Sequence, residues 1–346
     1  MLILGIESSC DETSASVVRA GDRGGMPVAL SDIVASQVDT HRLYGGVVPE
    51  IAGRAHIEAV SGVVSEALAG AGVSAKDIDG VAVTTHPGLI GALLVGVNFA
   101  KAFAFSNNIP LISVNHVHAH VAASYVTDNR PEPPFLAVVV SGGHTSFYLV
   151  KDYVTYEELG GTRDDAIGEA FDKIGRAIGL PYPGGAAMDA LACLGDARGG
   201  RKSFRFPSPA LPGDNLDFSF SGIKTAALNI LNSASQKGTE IDRELFASSF
   251  VNAVTYAVAT KLGPAIDRSG CKRVVMAGGV AANSHLRAHL ARICEKKGAV
   301  LYYPPVQLCG DNAAMIGAQA YYEFKAGVTA GSDLNAYATM DINGLI

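Results

Sequence analysis

Three histidines, His116, His118 and His120, alternate with small apolar residues directly after a strand-like run. If a helix begins at His116, then His116 and His120 lie one turn apart on one face and can share a metal ion, while His118 points elsewhere. Because two ligands make a weak site, a third is expected from a distant segment, and Asp311, just before a second helical run, is the natural donor. Two histidines and one carboxylate suit Zn²⁺ or Fe²⁺, and the spacing does not choose between them.

Acidic residues also cluster near the start of the chain, where Glu7, Asp11 and Glu12 lie on a polar turn between two apolar runs. Carboxylates on such a turn can hold a hydrated Mg²⁺ ion or activate a water molecule. We therefore take Asp11 and Glu12 as candidate catalytic residues. Ordinary turn chemistry is the competing explanation for Asp11.

Two glycine-rich turns farther along the chain are candidates for nucleotide binding. The turn Ser141-Gly142-Gly143 follows an apolar run and offers backbone amides to an anion. Gly278 and Gly279 precede Asn283, so a nucleoside can approach closely and Asn283 can read it. Asp172, within a helical pattern, can accept hydrogen bonds from ribose hydroxyls or simply lie on a solvated helix face.

The elements that must position these residues occur twice. A strand, a polar turn and a second strand are predicted over 2–19, and the same pattern returns over 135–150. The proline-rich segment 128–134 separates the two halves. We therefore expect two duplicated α/β lobes with a nucleotide cleft between them, the first formed by 1–130 plus 312–346 and the second by 131–311.

Composition excludes several classes of protein. Hydrophobic residues make up 48% and charged residues 17% of the 346 residues, which is typical of a globular chain rather than a disordered one. The five cysteines show no Cys-x-x-Cys spacing and indicate reduced cytoplasmic thiols. The N-terminus does not resemble a signal peptide. The apolar stretch 86–105 contains Asn98 and Lys101, which favours a buried helix over a membrane span.

Recognition of nucleic acid through overall basicity is disfavoured, because the net charge is −6. Any RNA contact must be local or shared with a partner. Basic and aromatic residues alternate in one loop, which predicts either RNA contact or a solvated loop: Arg198, Arg201, Lys202, Phe204, Arg205 and Phe206. The His-Glu-x-x-His motif of many metalloproteases and the Gly-x-Ser-x-Gly elbow of serine hydrolases are both absent.

Taken together, these motifs resemble the family of tRNA N6-adenosine threonylcarbamoyltransferases in its bacterial, catalytic-subunit form. The similarity runs almost from end to end. It is carried, in chain order, by 5–13, Tyr44-Gly45-Gly46-Val47-Val48-Pro49-Glu50, 116–120, Ser141-Gly142-Gly143-His144-Thr145, Phe171-Asp172-Lys173, 218–224, 278–283 and Cys309-Gly310-Asp311-Asn312. One departure is His86, where the family commonly has glycine before Pro87-Gly88, and it leaves the role of that turn open.

The resemblance implies two ribonuclease-H-like lobes of the actin, hexokinase and Hsp70 ATPase fold. It implies transfer of threonylcarbamoyl from threonylcarbamoyl-adenylate to N6 of the adenosine beside the anticodon, in tRNAs that read codons beginning with A, with release of AMP. It further implies a divalent metal, Fe²⁺ or Zn²⁺, on His116, His120 and Asp311. The donor-binding residues that it implies are Val139, Val140, Ser141, Gly142, Gly143, Asp172, Gly185, Asp189 and Asn283.

The same resemblance implies partners in the cytoplasm and none in a membrane. They are tRNA, a noncatalytic paralogue of similar fold, a small P-loop ATPase and a synthase that supplies the donor. ATP with Mg²⁺ is a further expected ligand. Two alternatives stay open at this point: a small-molecule kinase or ATPase of the same fold, which has no need of a two-histidine metal site, and a metalloprotease.

Overall fold

The computed structural model describes residues 1–20, 25–340 and 342. Contacts divide the chain into a first unit of Met1–Pro133, Val150–Glu157 and Pro304–Ile346, and a second unit of Pro134–Leu149 and Glu158–Tyr303. The predicted lobes, 1–130 plus 312–346 and 131–311, differ from these units mainly in that 150–157 and 304–311 belong to the first. The last part of the predicted first lobe, 341 and 343–346, lies outside the described residues.

Both units contain strands and helices. The strands are β1 Leu2–Glu7, β2 Glu12–Arg19, β3 Val28–Ala29, β4 Ile33–Ser36, β5 Gly80–His86, β6 Leu111–Asn115, β7 Phe135–Val140, β8 Thr145–Val150, β9 Tyr156–Gly161, β10 Arg273–Ala277 and β11 Val300–Tyr302. The helices are α1 Val38–Arg42, α2 Pro49–Ala71, α3 Ile90–Asn107, α4 His116–Ala122, α5 Ile167–Ala177, α6 Gly184–Ala197, α7 Ser221–Gln236, α8 Arg243–Ser269, α9 Ser284–Lys297 and α10 Ala313–Lys325.

The two sheets repeat one topology. In the first sheet the strand order is β3-β2-β1-β5-β6, with β1 antiparallel to β2 and parallel to β5, and with β5 parallel to β6. In the second sheet the order is β11-β10-β7-β8-β9, with β10 parallel to both β7 and β11. The order β2-β1-β5-β6 therefore corresponds to β8-β7-β10-β11. The prediction of a duplicated α/β chain is confirmed.

The apolar stretch near residue 90 forms helix α3, which by length and composition alone could cross a membrane. One face of the helix, which includes Leu93, Val97 and Ala100, is buried against β5 and α2. The other face is open, and Phe105 at its end is 89% exposed. The predicted buried helix is therefore buried on one face only.

Close packing of α10 on β1 positions the carboxylate that precedes this helix. A Cβ atom added at Gly5 would lie 2.5 Å from the carbonyl oxygen of Ala313 and 2.8 Å from the amide nitrogen of Gly317. The Ala313 amide donates a hydrogen bond of 2.8 Å to the Ser14 hydroxyl on β2. The start of α10, and with it Asp311 two residues earlier, is therefore held against the β1–β2 hairpin.

Candidate functional site

Helix α4 begins where the sequence places its first histidine. The Asn115 side chain accepts hydrogen bonds from the amides of Val117 at 2.7 Å and His118 at 3.3 Å, and so caps the helix. The helical repeat then brings the rings of His116 and His120 to a centroid separation of 4.5 Å. Both rings are buried. A short capped helix thus presents two imidazoles on one face.

Asp311 completes a three-residue cluster with these histidines. Its Oδ1 atom lies 3.6 Å from Nε2 of His116 and 3.4 Å from Nε2 of His120. One potential ligand atom from each residue lies within 4.8 Å of the other two. Two imidazole nitrogens and a carboxylate oxygen are a donor set that suits Zn²⁺ or Fe²⁺. The residues present therefore fit a divalent transition metal.

Glu7 orients the first of these histidines. Its Oε2 atom lies 3.3 Å from Nδ1 of His116, and the Ser9 hydroxyl lies 3.2 Å from the same nitrogen. Glu7 is itself held in place, because it accepts hydrogen bonds from the Thr84 hydroxyl and from the Ser9 amide. A carboxylate on the far nitrogen is the usual outer partner of a metal-binding histidine, since it sets the tautomer and the ring orientation.

The charges around Asp311 are unusually concentrated. Burial raises the pKa of Asp311 to about 6, with help from Glu7 and Asp11 and against the opposing effect of His116. Burial, followed by Asp311 and Asp11, raises the pKa of Glu12 to about 9. So many carboxylates in one buried region repel each other unless a cation is present. This electrostatic arrangement also fits a bound dication.

The His116 ring supplies positive charge to this cluster, because its pKa is raised. Burial lowers its pKa, but Asp311 and Glu7 outweigh burial and raise the pKa to about 9. Burial likewise acts to raise the pKa of Glu7, yet His116, Ser9 and Thr84 leave that pKa below its usual value. The buried ring and the two carboxylates thus form a compact ion-paired group.

Asp11 and Glu12, the predicted catalytic residues, lie on the β1–β2 hairpin near Asp311. Asp11 is buried, and its backbone carbonyl accepts a hydrogen bond of 3.0 Å from the Gln37 amide. Glu12 begins β2 and accepts a hydrogen bond of 3.3 Å from the Ser36 hydroxyl. Asp11 is close enough to help raise the pKa of Asp311, and Asp11 and Asp311 both help to raise that of Glu12.

The middle histidine of the helix points into the core, away from the cluster. The His118 ring stacks on Tyr156 with centroids 3.8 Å apart, and its Nδ1 atom lies 3.8 Å from a carboxylate oxygen of Glu323. His86 is also buried, with its Nδ1 atom 2.8 Å from the Thr85 hydroxyl. Burial, and then His118, lowers the pKa of His86 to about 4. His86 is therefore a neutral core residue.

The predicted anion-binding turn lies in the second unit, between β7 and β8. The Ser141 amide donates to the carbonyl of His144 at 2.8 Å, and this bond closes the turn. Cβ atoms added at Gly142 or Gly143 would meet nothing within 4 Å, so these backbone positions face open space. One added at Gly168, in the first turn of α5, would lie 2.6 Å from the Ser141 carbonyl. The helix start is thus packed directly against the turn.

The remaining predicted donor residues follow one another along α5, α6 and α9. Asp172 accepts a hydrogen bond of 2.7 Å from the Gly184 amide, and a Cβ at Gly185 would face open space. Asp189 accepts hydrogen bonds from the Ser284 amide at 2.9 Å and from His285 Nδ1 at 2.6 Å. Asp189 therefore already bonds to the protein and holds the start of α9.

Asn283 has an unused donor. Its Oδ1 atom caps α9 by accepting from the Leu286 amide at 2.8 Å. Its Nδ2 atom is buried and has no hydrogen-bond partner among the described residues. A buried amide without a partner is costly, so the unused donor fits a bound acceptor such as an adenine nitrogen. Val139 and Val140 end the buried strand β7, and the Val140 carbonyl would lie 2.4 Å from a Cβ added at Gly278.

The two phenylalanines of the predicted RNA-contact loop, Phe204 and Phe206, pack against another residue of the protein. Phe204 and Phe206 pack edge-on against Phe246, with centroids 5.3 Å and 5.6 Å apart. Arg198 forms ion pairs with Asp242 and Glu244. Both phenylalanine rings are half-buried and pack within the second unit, and RNA contact at this loop stays a prediction.

Comparison with known proteins identifies the family of the chain. The family model described as TsaD, tRNA N6-adenosine threonylcarbamoyltransferase, matches residues 28–318. A curated relative from Clostridioides difficile, with the same description, is 48% identical over 343 residues, which cover 99% of each chain.

Two solved structures share the fold. HypF of T. kodakarensis has a TM-score of 0.60 at 15% identity, covering 93% of this chain and 48% of that one. The ROK hexokinase of Thermus thermophilus has a TM-score of 0.50 at 18% identity, covering 94% of this chain and all of the other. The fold is that of the actin-like ATPases.

Proposed function

The chain belongs to the family of tRNA N6-adenosine threonylcarbamoyltransferases, and we propose that it transfers threonylcarbamoyl from threonylcarbamoyl-adenylate to N6 of the adenosine beside the anticodon. The acceptors are tRNAs that read codons beginning with A, and AMP is released. The observation that carries the proposal is the cluster of His116, His120 and Asp311, with Glu7 oriented on His116. A sugar kinase of the same fold has no need of such a cluster.

His116, His120 and Asp311 would hold one divalent metal ion, Fe²⁺ or Zn²⁺. When bound, such an ion acts as a Lewis acid that draws charge from the oxygens of an acyl phosphate. Glu7 contributes by fixing His116 with its Nε2 atom directed toward Asp311.

Residues of the second unit would hold the adenylate part of the donor. The amides of the turn Ser141-Gly142-Gly143 bind its phosphate, as the open space beside Gly142 and Gly143 allows. The unused Nδ2 donor of Asn283 reads the adenine ring. Asp172 binds a ribose hydroxyl, and Gly185 permits close approach of the nucleoside.

Asp11 and Glu12 are assigned the proton transfers. In the reaction the N6 nitrogen forms a bond to the carbamoyl carbon, the bond from that carbon to the phosphate oxygen breaks, and AMP leaves with the electron pair. The proton lost from N6 passes to a carboxylate, for which Asp11 is the candidate. Glu12, whose pKa burial, Asp311 and Asp11 raise to about 9, is the second candidate for holding that proton.

The partners and the location belong to the same proposal. The substrate is tRNA, and the net charge of −6 favours a basic RNA-binding surface supplied in part by other subunits. Those subunits are a noncatalytic paralogue of similar fold and a small P-loop ATPase, and ATP with Mg²⁺ is a further ligand. A cytoplasmic synthase supplies the donor, so the chain acts in the cytoplasm.

A reconstituted assay tests the proposal. Labelled threonine, bicarbonate, ATP, the synthase, the partner subunits and unmodified tRNA are incubated with and without this chain, and the tRNA nucleosides are analysed by mass. Labelled threonylcarbamoyladenosine that forms only in the presence of the chain supports the proposal. If the donor accumulates intact and no modified nucleoside forms, the transferase assignment is wrong.

A further inference from the structure

A cavity of about 180 Å³ lies in the second unit, between the end of α6 and the first turns of α9. Four basic side chains and one carboxylate line it: Arg201, His285, His289, Arg292 and Asp196. None of these five residues is among the donor-binding residues proposed above. We call this cavity the basic pocket.

The Asp196 carboxylate of the basic pocket already has hydrogen-bond and ion-pair partners within the protein. Arg201 donates to Oδ2 of Asp196 through Nε at 2.7 Å and through a terminal nitrogen at 2.5 Å. His285 Nε2 lies 3.3 Å from the same oxygen, and the Ser248 hydroxyl donates to Oδ1 at 2.6 Å. Asp196 therefore has little capacity to neutralise another cation.

Arg292 is the arginine of the pocket lining that no carboxylate of the described residues pairs with. It is exposed, it forms no ion pair with any other residue in the part of the chain that the structure describes, and it lines the same cavity as Arg201. The two guanidinium groups outnumber the single carboxylate of the lining. A guanidinium that faces a cavity beside a second guanidinium is arranged for an anion with several acceptor oxygens.

The buried histidines are consistent with a positive potential in the pocket. Burial, and then Arg292, Arg201 and His285, lowers the pKa of His289, whose Nδ1 atom lies 3.2 Å from the Thr255 hydroxyl. A hydrogen bond to Asp189 raises the pKa of His285. His285 thus retains its proton to higher pH than an ordinary histidine, whereas His289 loses its proton at lower pH than an ordinary one.

We propose that the basic pocket binds a phosphate group, with Arg292 as its principal ligand and the Ser284 hydroxyl on the lining as a further donor. At ~30 Å³ of liquid volume per water molecule, the cavity has room for a tetrahedral oxyanion and a few waters. The phosphate comes either from the backbone of the tRNA, a source that rests on the proposed function, or from a free phosphate anion.

Binding of inorganic phosphate to the full-length chain is the first test. It is measured by calorimetry at constant ionic strength, with chloride as the balancing anion. We expect saturable binding that weakens at least about 10-fold in Arg292→Ala, a loss equal to about 1.4 kcal/mol. Lys296→Ala removes an exposed cation from the same helix outside the pocket, and it is expected to bind phosphate as the unaltered chain does.

Binding of unmodified tRNA at several salt concentrations separates the two sources. If a backbone phosphate occupies the pocket, Arg292→Ala weakens tRNA binding and reduces the salt slope by about one, while Lys296→Ala does not. If phosphate binding is lost but tRNA binding is unchanged, the pocket takes a free anion.

The proposal is overturned if Arg292→Ala binds phosphate as tightly as Lys296→Ala does and the two variants bind tRNA equally well, because the turn Ser141-Gly142-Gly143 would then account for any phosphate bound. Neither measurement uses the transfer reaction. A failed transferase assay with intact phosphate binding would therefore count against the proposed function and not against the basic pocket.

Discussion

Nδ1 of His116 lies 3.3 Å from Oε2 of Glu7, although the two residues are 109 positions apart in the chain. The contact joins the end of β1 to the first residue of α4. Because one ring nitrogen is bound by a carboxylate, the other is committed to Asp311. A glutamate at the end of a buried strand thus determines how the first histidine faces the cluster.

Replacing Glu7 with glutamine tests this orientation. Glu7→Gln keeps the size of the side chain but removes the charge that holds His116. We expect the affinity for Zn²⁺ or Fe²⁺ to fall by about 10–100-fold. The measurement is competition with a chelating dye, followed by metal analysis of the dialysed protein.

The matched control is Glu50→Gln, which alters an exposed glutamate of α2 paired with Arg54. It is expected to leave metal affinity unchanged. Equal metal affinity in Glu7→Gln and in the unaltered chain would show that Glu7 does not orient the ligand.

Asn283 caps α9 and is proposed to read the nucleoside, and one substitution can separate these two roles. Asn283→Asp keeps the oxygen that caps α9 but removes the buried Nδ2 donor. We expect the Kd for the adenylate donor or for AMP to rise by about 10-fold, because one hydrogen bond to the base is lost. The thermal midpoint should change little, since a carboxylate is favourable at a helix N-terminus.

Asn98→Asp is the control for Asn283→Asp, because Asn98 is exposed on α3 in the first unit. It should leave AMP binding as it was. If Asn283→Asp binds AMP with unaltered affinity, Asn283 does not read the nucleoside.

Gly5→Ala tests the packing that places Asp311. The added methyl group would meet backbone atoms of α10 at 2.5 Å and 2.8 Å, which a side-chain rotation cannot relieve. We expect a loss of about 1–3 kcal/mol in the free energy of unfolding and weaker metal binding. Denaturant unfolding and chelator competition measure the two effects.

Gly62→Ala is the matched glycine control, because it lies within α2 and its added Cβ would meet nothing within 4 Å. We expect a gain of about 0.5–1 kcal/mol in stability there. If both variants behave alike, close approach of α10 to β1 is not required.

The pair of His285 and Asp189 predicts a dependence of stability on pH. The pKa of His285 is raised in the fold, mainly by its hydrogen bond to Asp189. Its contribution to the free energy of unfolding is therefore complete below about pH 6.5 and is lost as the pH rises through the pKa of the folded state. Burial opposes ionisation of Asp189, but His285 and Ser284 leave its pKa lowered. The contribution of Asp189 to the free energy of unfolding is present above about pH 3.9 and is lost as the pH falls through the pKa of the folded state.

The two contributions overlap from about pH 4 to pH 6.5. We therefore expect His285→Ala to destabilise the protein by about 2 kcal/mol at pH 5.5 and by less at pH 9. Thermal unfolding at both pH values measures this difference. An equal loss at pH 5.5 and pH 9 would mean that the ionic pair does not contribute.

Local periodicity was sufficient to predict the strands that carry the site and the turn of helix that carries two of its histidines. The repeat of hairpin and parallel strands was visible because both hairpins have the same apolar and polar alternation. The spacing of His116 and His120 follows from the helical repeat alone. These features depend on neighbours in sequence, and sequence patterns report them well.

Contacts between distant segments were not visible in the sequence. Asp164, for example, accepts a hydrogen bond of 2.8 Å from the amide of Phe220, which directly precedes α7 and is 56 positions away. The segment 150–157 belongs to the first unit because Tyr153 stacks on Tyr322 with centroids 3.8 Å apart and Tyr156 stacks on His118. The role of Glu7 was missed for the same reason.

A single-turnover reaction tests the central claim most directly. Purified threonylcarbamoyl-adenylate and unmodified tRNA are mixed with the metal-loaded chain and its partner subunits, in the absence of free threonine, and AMP and modified nucleoside are both quantified. We predict that the two appear in equal amounts and that His116→Ala and His120→Ala each abolish both. His118→Ala, which alters the inward-facing ring, should retain metal and activity. Full activity in the His116 or His120 variant, or AMP without modified nucleoside, would contradict the assignment.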